Sequence, residues 1–78
     1  MTIVEAVACR LEQIMKEKGL TQYKVFKLSG VAQSTISEIL HRHSKSINLV
    51  TIYEMVDGLE MELLDFFDSP LFKRENLE

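Results

Sequence analysis

Hydrophobic residues recur every three or four positions along most of this chain, which is the spacing of amphipathic helices. Thr2, with Glu5 three residues later, has the pattern of a helix-capping box. Gly19 is suited to end the same helix, because glycine readily adopts the left-handed conformation found after helix ends. The first helix is therefore predicted between these residues, with an inner face made of Val4, Val7, Ala8, Leu11, Ile14 and Met15.

A second and a third helix are predicted between residues 21 and 40. Thr21 is a suitable N-cap for a short second helix, and Ser29-Gly30 ends it. A third helix opens at Ala32-Gln33. The apolar residues expected to hold this region to the core are Val25, Phe26, Leu28, Val31, Ile36, Ile39 and Leu40.

Two more helices are predicted after a polar loop at residues 41–46. Asn48 caps the fourth helix, and Pro70 is expected to terminate the fifth. No stretch alternates strictly between apolar and polar residues, so no strand is predicted. The pattern predicts an all-α fold, a compact bundle of five short helices. The apolar residues of the last two helices are Leu49, Ile52, Met55, Val56, Leu59, Leu63, Leu64, Phe66 and Phe67.

The length of 78 residues predicts one domain, spanning 1–78, with a short C-terminal tail at 69–78. The single cysteine, Cys9, cannot form an internal disulfide and is expected to be a buried apolar residue in a reducing compartment. No apolar run is long enough to span a bilayer, and no signal-peptide pattern begins the chain. We therefore expect a cytoplasmic protein with no membrane partner.

The net charge of −3 hides two halves of opposite sign. Seven basic and four acidic residues precede Ser46, whereas two basic and eight acidic residues follow from that position onward. A nucleic-acid partner is compatible with the first half, although long-range attraction is expected to be weaker than for a basic domain. The alternative is that both halves are simply solvated surface.

Residues 22–41 have the spacing of two helices joined by a tight turn that contains glycine, which is the helix-turn-helix motif. Gly30 stands where the chain must reverse, and Val31 is expected to fill the corner. With Ile36 and Ile39 inward, the third helix turns a polar set outward. Side chains of this kind read base edges in the major groove, where glutamine pairs with adenine and serine serves several bases. The outward set is Gln33, Ser34, Ser37 and Glu38.

The stretch GLTQYKVFKLSGVAQSTISEI resembles the Cro and phage-repressor type of helix-turn-helix domain, also called xenobiotic-response-element-like and lambda-repressor-like. Its most specific pieces are GLTQ, GV and STIS, and the resemblance extends to about Phe67. It implies a DNA-binding transcriptional regulator, expected to be a repressor, whose partner is double-stranded DNA. It also implies phosphate contact by Gln22, base contact by Gln33, Ser34 and Glu38 with Thr35 and Ser37 nearby, and backbone contact by Arg42, His43 and Lys45.

Several positions depart from the family pattern. Phe26 replaces a small alanine, so a wider helix crossing is expected. Met15 and Leu40 stand where the family commonly has an arginine–glutamate ion pair. Replacing both partners together avoids a stranded charge, so these two side chains are predicted to touch. Glu38 either accepts a hydrogen bond from a cytosine amino group, or repels phosphate, or is ordinary solvated surface.

Other functions fit the same residues. Gln33, Ser34 and Thr35 also suit an ordinary helix start. The chain could be an antitoxin-like protein that binds a toxin as well as DNA, or an interaction domain that has lost DNA binding and uses a protein partner on the acidic C-terminal half. No enzyme and no cofactor are expected, because the chain has no glycine-rich phosphate loop and no nucleophile beside an ordered base.

Two remaining groups have open roles. His41 and His43 do not share a helix face, so a metal site is not expected, and protonated rings would instead tighten DNA binding. The apolar cluster near the C-terminus either covers the small core or forms the contact of a homodimer. Its members are Phe66, Phe67, Leu71 and Phe72.

Overall fold

The computed structural model describes residues 1–78 and contains no strand. The predicted bundle of five helices is confirmed, although α1 is longer than the others. Two 3-10 turns follow the last α-helix, at Pro70–Phe72 and Arg74–Asn76. The α-helices are α1 (Ile3–Lys18), α2 (Gln22–Ser29), α3 (Gln33–Leu40), α4 (Leu49–Gly58) and α5 (Leu63–Phe67).

The predicted start signals are present at three helices. Thr2 Oγ1 accepts the Glu5 N–H at 3.1 Å, and the Glu5 carboxylate accepts the Thr2 N–H at 2.8 Å, which confirms the capping box. These hydrogen bonds to Thr2 lower the pKa of Glu5. Thr21 caps α2, and Asn48 caps α4 by accepting the Val50 N–H at 2.7 Å. Local hydrogen bonding therefore sets where these helices begin.

The five α-helices share one apolar core, and no polar or charged residue is buried. Every polar side chain therefore keeps some contact with solvent. The fully buried side chains, each less than 2% exposed, include Leu11 and Ile14 of α1, Val25 of α2, Ile36 and Ile39 of α3, Met55 and Val56 of α4, and Phe66 of α5.

Three leucines among the apolar positions of the predicted helices are exposed. Leu28, Leu49 and Leu64 have exposed fractions of 43%, 63% and 82%. Short helices bury only a narrow stripe, and these three side chains lie outside it. Helix α5 ends at Phe67, shortly before Pro70, and Pro70 begins a 3-10 turn capped by Ser69.

The C-terminal tail folds back onto α1. Arg10 donates from Nε to the Phe66 carbonyl at 2.7 Å and from Nη2 to the Asp65 carbonyl at 2.9 Å. The ring of Phe72 lies 4.9 Å from that of Phe67 and packs against the core. The aromatic side chains of α5 and the tail are therefore used within the chain, as expected if the tail covers the core.

Helix α2 crosses α4 closely at Gly58. A methyl group placed on Gly58 would lie 2.7 Å from Ser29 Cα and 2.8 Å from the Leu28 carbonyl oxygen. Both of these are backbone atoms, which cannot move aside as a flexible side chain could. The contact therefore fixes the end of α2, the first helix of the motif, against α4.

Gly58→Ala is expected to destabilise the protein by about 1–3 kcal/mol, as overpacking does in other cores. This is opposite in sign to the usual gain from replacing a helical glycine with alanine. Urea unfolding measures the change, and Asp57→Ala, at the exposed neighbour, is the control. A Gly58→Ala protein as stable as the parent would show that α2 is not fixed here.

Candidate nucleic-acid interface

The turn between α2 and α3 is held by its own hydrogen bonds. The Ser29 hydroxyl donates to the Val25 carbonyl at 2.6 Å and accepts the Val31 N–H at 3.1 Å. Gly30 has a φ of 76°, a conformation that favours glycine, and donates to the Phe26 carbonyl at 2.8 Å. Val31 is buried in the corner, as predicted.

Helix α3 presents a polar face because its apolar face is fully used. Ile36 and Ile39 are buried, whereas Gln33, Ser34 and Glu38 are exposed. Thr35 and Ser37 are half-buried at the edges of this face. The structure therefore brings together the residues for which the resemblance implies base contact.

The first turn of α3 has no side-chain cap. Its N-cap residue is Ala32, which cannot accept a hydrogen bond from the first N–H groups of the helix. Such uncapped amides are satisfied by water or by a ligand, and the positive end of the helix dipole favours an anion. The amides of this turn are suited to a phosphate oxygen.

The other end of α3 is organised by His41, which is its C-cap rather than a loop residue. His41 Nδ1 lies 2.8 Å from the Ser37 carbonyl oxygen and 3.1 Å from the Ser37 hydroxyl. A carbonyl only accepts, so Nδ1 carries the hydrogen in this arrangement.

The rings of His41 and His43 approach to 5.9 Å although the two residues do not share a helix face. Between them Arg42 has a φ of 59°, which turns the chain sharply after the helix. No group of His, Cys, Asp and Glu side chains is arranged to hold a metal ion.

Arg42 makes contacts within the protein, although the resemblance implies a DNA-backbone role for it. Its Nη2 lies 2.6 Å from Glu12 Oε1 and 3.3 Å from Cys9 Sγ, and its Nη1 donates to the Leu40 carbonyl. The Arg42 hydrogen bond lowers the pKa of Glu12, and Glu12 in turn raises the pKa of Arg42. Cys9 is half-buried beside this pair rather than buried as expected. Arg42 therefore joins α1 to the end of α3, and a DNA contact by it stays a prediction.

Met15 and Leu40 are half-buried and line the same open depression between α1, α2 and α3. Their direct contact stays a prediction, but this shared position fits it. Leu20 adds a third apolar side chain. The polar residues of the depression are Glu12, Lys16, Gln22 and His41. The resemblance implies a phosphate contact by Gln22, and the depression places Lys16, which the sequence analysis did not single out, near it.

The three loop residues for which the resemblance implies backbone contact have different neighbours. Arg42 faces α1, the His43 ring lies 5.9 Å from that of His41, and Lys45 lines a separate depression with Ile3 and Val4. His43 and Lys45 are exposed. The resemblance implies that Arg42, His43 and Lys45 contact the DNA backbone together, whereas the structure gives each of them different neighbours.

A family model described as helix-turn-helix matches residues 11–66, which is most of the chain. The chain therefore belongs to this family, the Cro and phage-repressor type of helix-turn-helix regulators, whose members are DNA-binding regulatory domains. No curated protein and no solved structure matches it. None of its helices has the length and apolar character needed to cross a bilayer.

Glu12→Gln is expected to lower the free energy of unfolding by at most about 1 kcal/mol near neutral pH, because the ion pair is half exposed. The pKa of Glu12 is depressed in the folded state. Its stabilising effect is therefore present above the ordinary glutamate pKa, about 4.3, and is lost as the pH falls through the depressed value.

Urea unfolding at about pH 7 and about pH 3 measures this difference, which should shrink at the lower pH. Glu17→Gln, at an exposed residue of the same helix, is the matched control. An equal effect of Glu12→Gln at both pH values would contradict the role assigned to the pair.

Proposed function

We propose that this chain is a sequence-specific DNA-binding repressor that reads the major groove with α3. The observation that supports it is the exposed polar face of α3, with Gln33 and Ser34 in an uncapped first turn and Ile36 and Ile39 buried behind it. An α-helix fits into the major groove, about 12 Å wide. Occupying an operator excludes other proteins from the same DNA, so repression is the simplest consequence.

The residues of α3 suit different base edges. Gln33 can pair through two hydrogen bonds with adenine, and Ser34 can donate to or accept from several bases. Glu38 can only accept while ionised, so it suits a cytosine amino group and disfavours phosphate. Ser37 and Thr35 lie at the edges of the reading face, and Gln22 supplies a phosphate contact that sets the register.

A homodimer is part of this proposal, but its contact is placed on α4 rather than on the tail. Leu49, Val50 and Tyr53 each expose more than half of their surface, and their spacing puts them on one side of α4. The tail aromatics, by contrast, pack within the chain. A two-fold contact between copies would set two α3 helices about one DNA turn apart.

Selection from random duplex DNA is expected to enrich a palindromic motif for the parent protein. In Gln33→Ala, the preference at one position per half-site should relax at a cost of about 1–3 kcal/mol, since the bidentate pair with the base is lost. Sequencing of the selected pool gives both results. The exposed Gln13→Ala, on α1, is the control.

A pool without any enriched motif would contradict the function. Binding that ignores Gln33 and vanishes uniformly with salt would mean that α3 does not read bases. A protein partner on the acidic half, as in an antitoxin-like or purely protein-binding domain, would then be the better account.

Val50→Glu is expected to weaken self-association at least about tenfold, because it places two like charges near a two-fold axis. Sedimentation equilibrium measures the change. Leu64→Glu, at the most exposed of the large apolar side chains, on a different helix, is the matched control. A parent protein that stays monomeric at high concentration would exclude the dimer.

A further inference from the structure

The depression between α1, α2 and α3 combines an apolar floor with hydrogen-bond donors from three helices. Met15, Leu20 and Leu40 supply the floor. The donors are Lys16 from α1, Gln22 at the first position of α2 and His41 at the end of α3. These elements meet only in the folded chain.

We propose that this depression is a binding site for one DNA phosphate and its deoxyribose, with Lys16 and His41 as additional contacts beside Gln22. The inference rests on the proposed function and adds two residues and a sugar-binding floor to it. The apolar floor would receive the C–H face of the sugar while the polar side chains hold the phosphate.

The charge of the site suits this anion. Lys16 is exposed and forms no ion pair, so its ammonium group is free to reach a phosphate oxygen. Glu12 is the single acidic residue of the depression, and its charge is offset by Arg42 at 2.6 Å. The net charge of the depression and its adjoining Arg42 is therefore positive, and Lys16 supplies the positive charge that is not paired.

His41 contributes in a pH-dependent way. Because Nδ1 donates to the Ser37 carbonyl, Nε2 has a hydrogen to donate only when the ring is an imidazolium. The charged and titratable neighbours are Glu12 and Lys16 across the depression, and Arg42 and His43 beside it in the loop.

The first test is the salt dependence of binding to a duplex of random sequence. Lys16→Gln is expected to reduce the slope of log affinity against log salt by about 1, the value for one lost phosphate contact. Lys18→Gln, the exposed lysine two residues further along α1, is expected to leave the slope unchanged. Circular dichroism confirms that both variants fold.

The second test compares affinity at about pH 6 and about pH 8, either side of the usual histidine range. The parent protein is expected to bind more tightly at the lower pH by about threefold to tenfold. His41→Asn should remove most of this increase in affinity at the lower pH. His43→Asn should keep the increase that His41 provides.

The third test distinguishes a binding site for a DNA phosphate with its sugar from a site that binds any small anion. Inorganic phosphate is titrated while the His41 ring is followed by NMR, and no saturable change is expected because the sugar is absent. A saturable change at millimolar phosphate would overturn the assignment to a phosphate with its sugar.

The outcomes distinguish this inference from the function on which it rests. If the parent protein binds DNA but Lys16→Gln and Lys18→Gln have the same slope, the proposed phosphate site is wrong and the proposed function stands. If the parent protein does not bind DNA even at low salt, both fail together.

Discussion

The burial of two isoleucines on α3 is the constraint on which the rest of the interface depends. Ile36 and Ile39 are at most 1% exposed, and burying side chains of this size contributes roughly 1.5–3 kcal/mol each. Rotating α3 about its axis would expose them, so the helix is held in one orientation. Its polar face therefore points outward as a direct consequence of packing, and the corner at Ser29-Gly30 fixes the angle at which it does so.

The two arginines of the basic half serve the structure. Arg10 binds two carbonyls at the end of α5, and Arg42 binds the Leu40 carbonyl at the end of α3 together with Glu12. Each satisfies acceptors that a helix C-terminus leaves free. Lysines are consequently the cations of this half that are left for phosphate, and a lysine acts as a flexible point charge rather than a planar fork.

An ion pair links α1 to the loop directly after α3, but not at the positions that the resemblance implies. Apolar Met15 and Leu40 occupy those positions, while Glu12 and Arg42 form a pair nearby. The charged link between the two helices is thus retained beside an apolar surface. This arrangement is physically consistent, because neither pair of positions contains a single charge without its partner.

The sequence by itself determined the helices and the motif, because their signals are local. Thr2 with Glu5, Thr21 and Asn48 act within three residues, and Gly30 ends α2 through its own φ angle. Only the tertiary structure decided which apolar residues are covered, as Leu28, Leu49 and Leu64 show. It also decided that Arg42 meets Glu12, 30 residues away, and that Lys16 lies beside Gln22 and His41. These contacts depend on how helices pack across the core, which periodicity and capping do not specify.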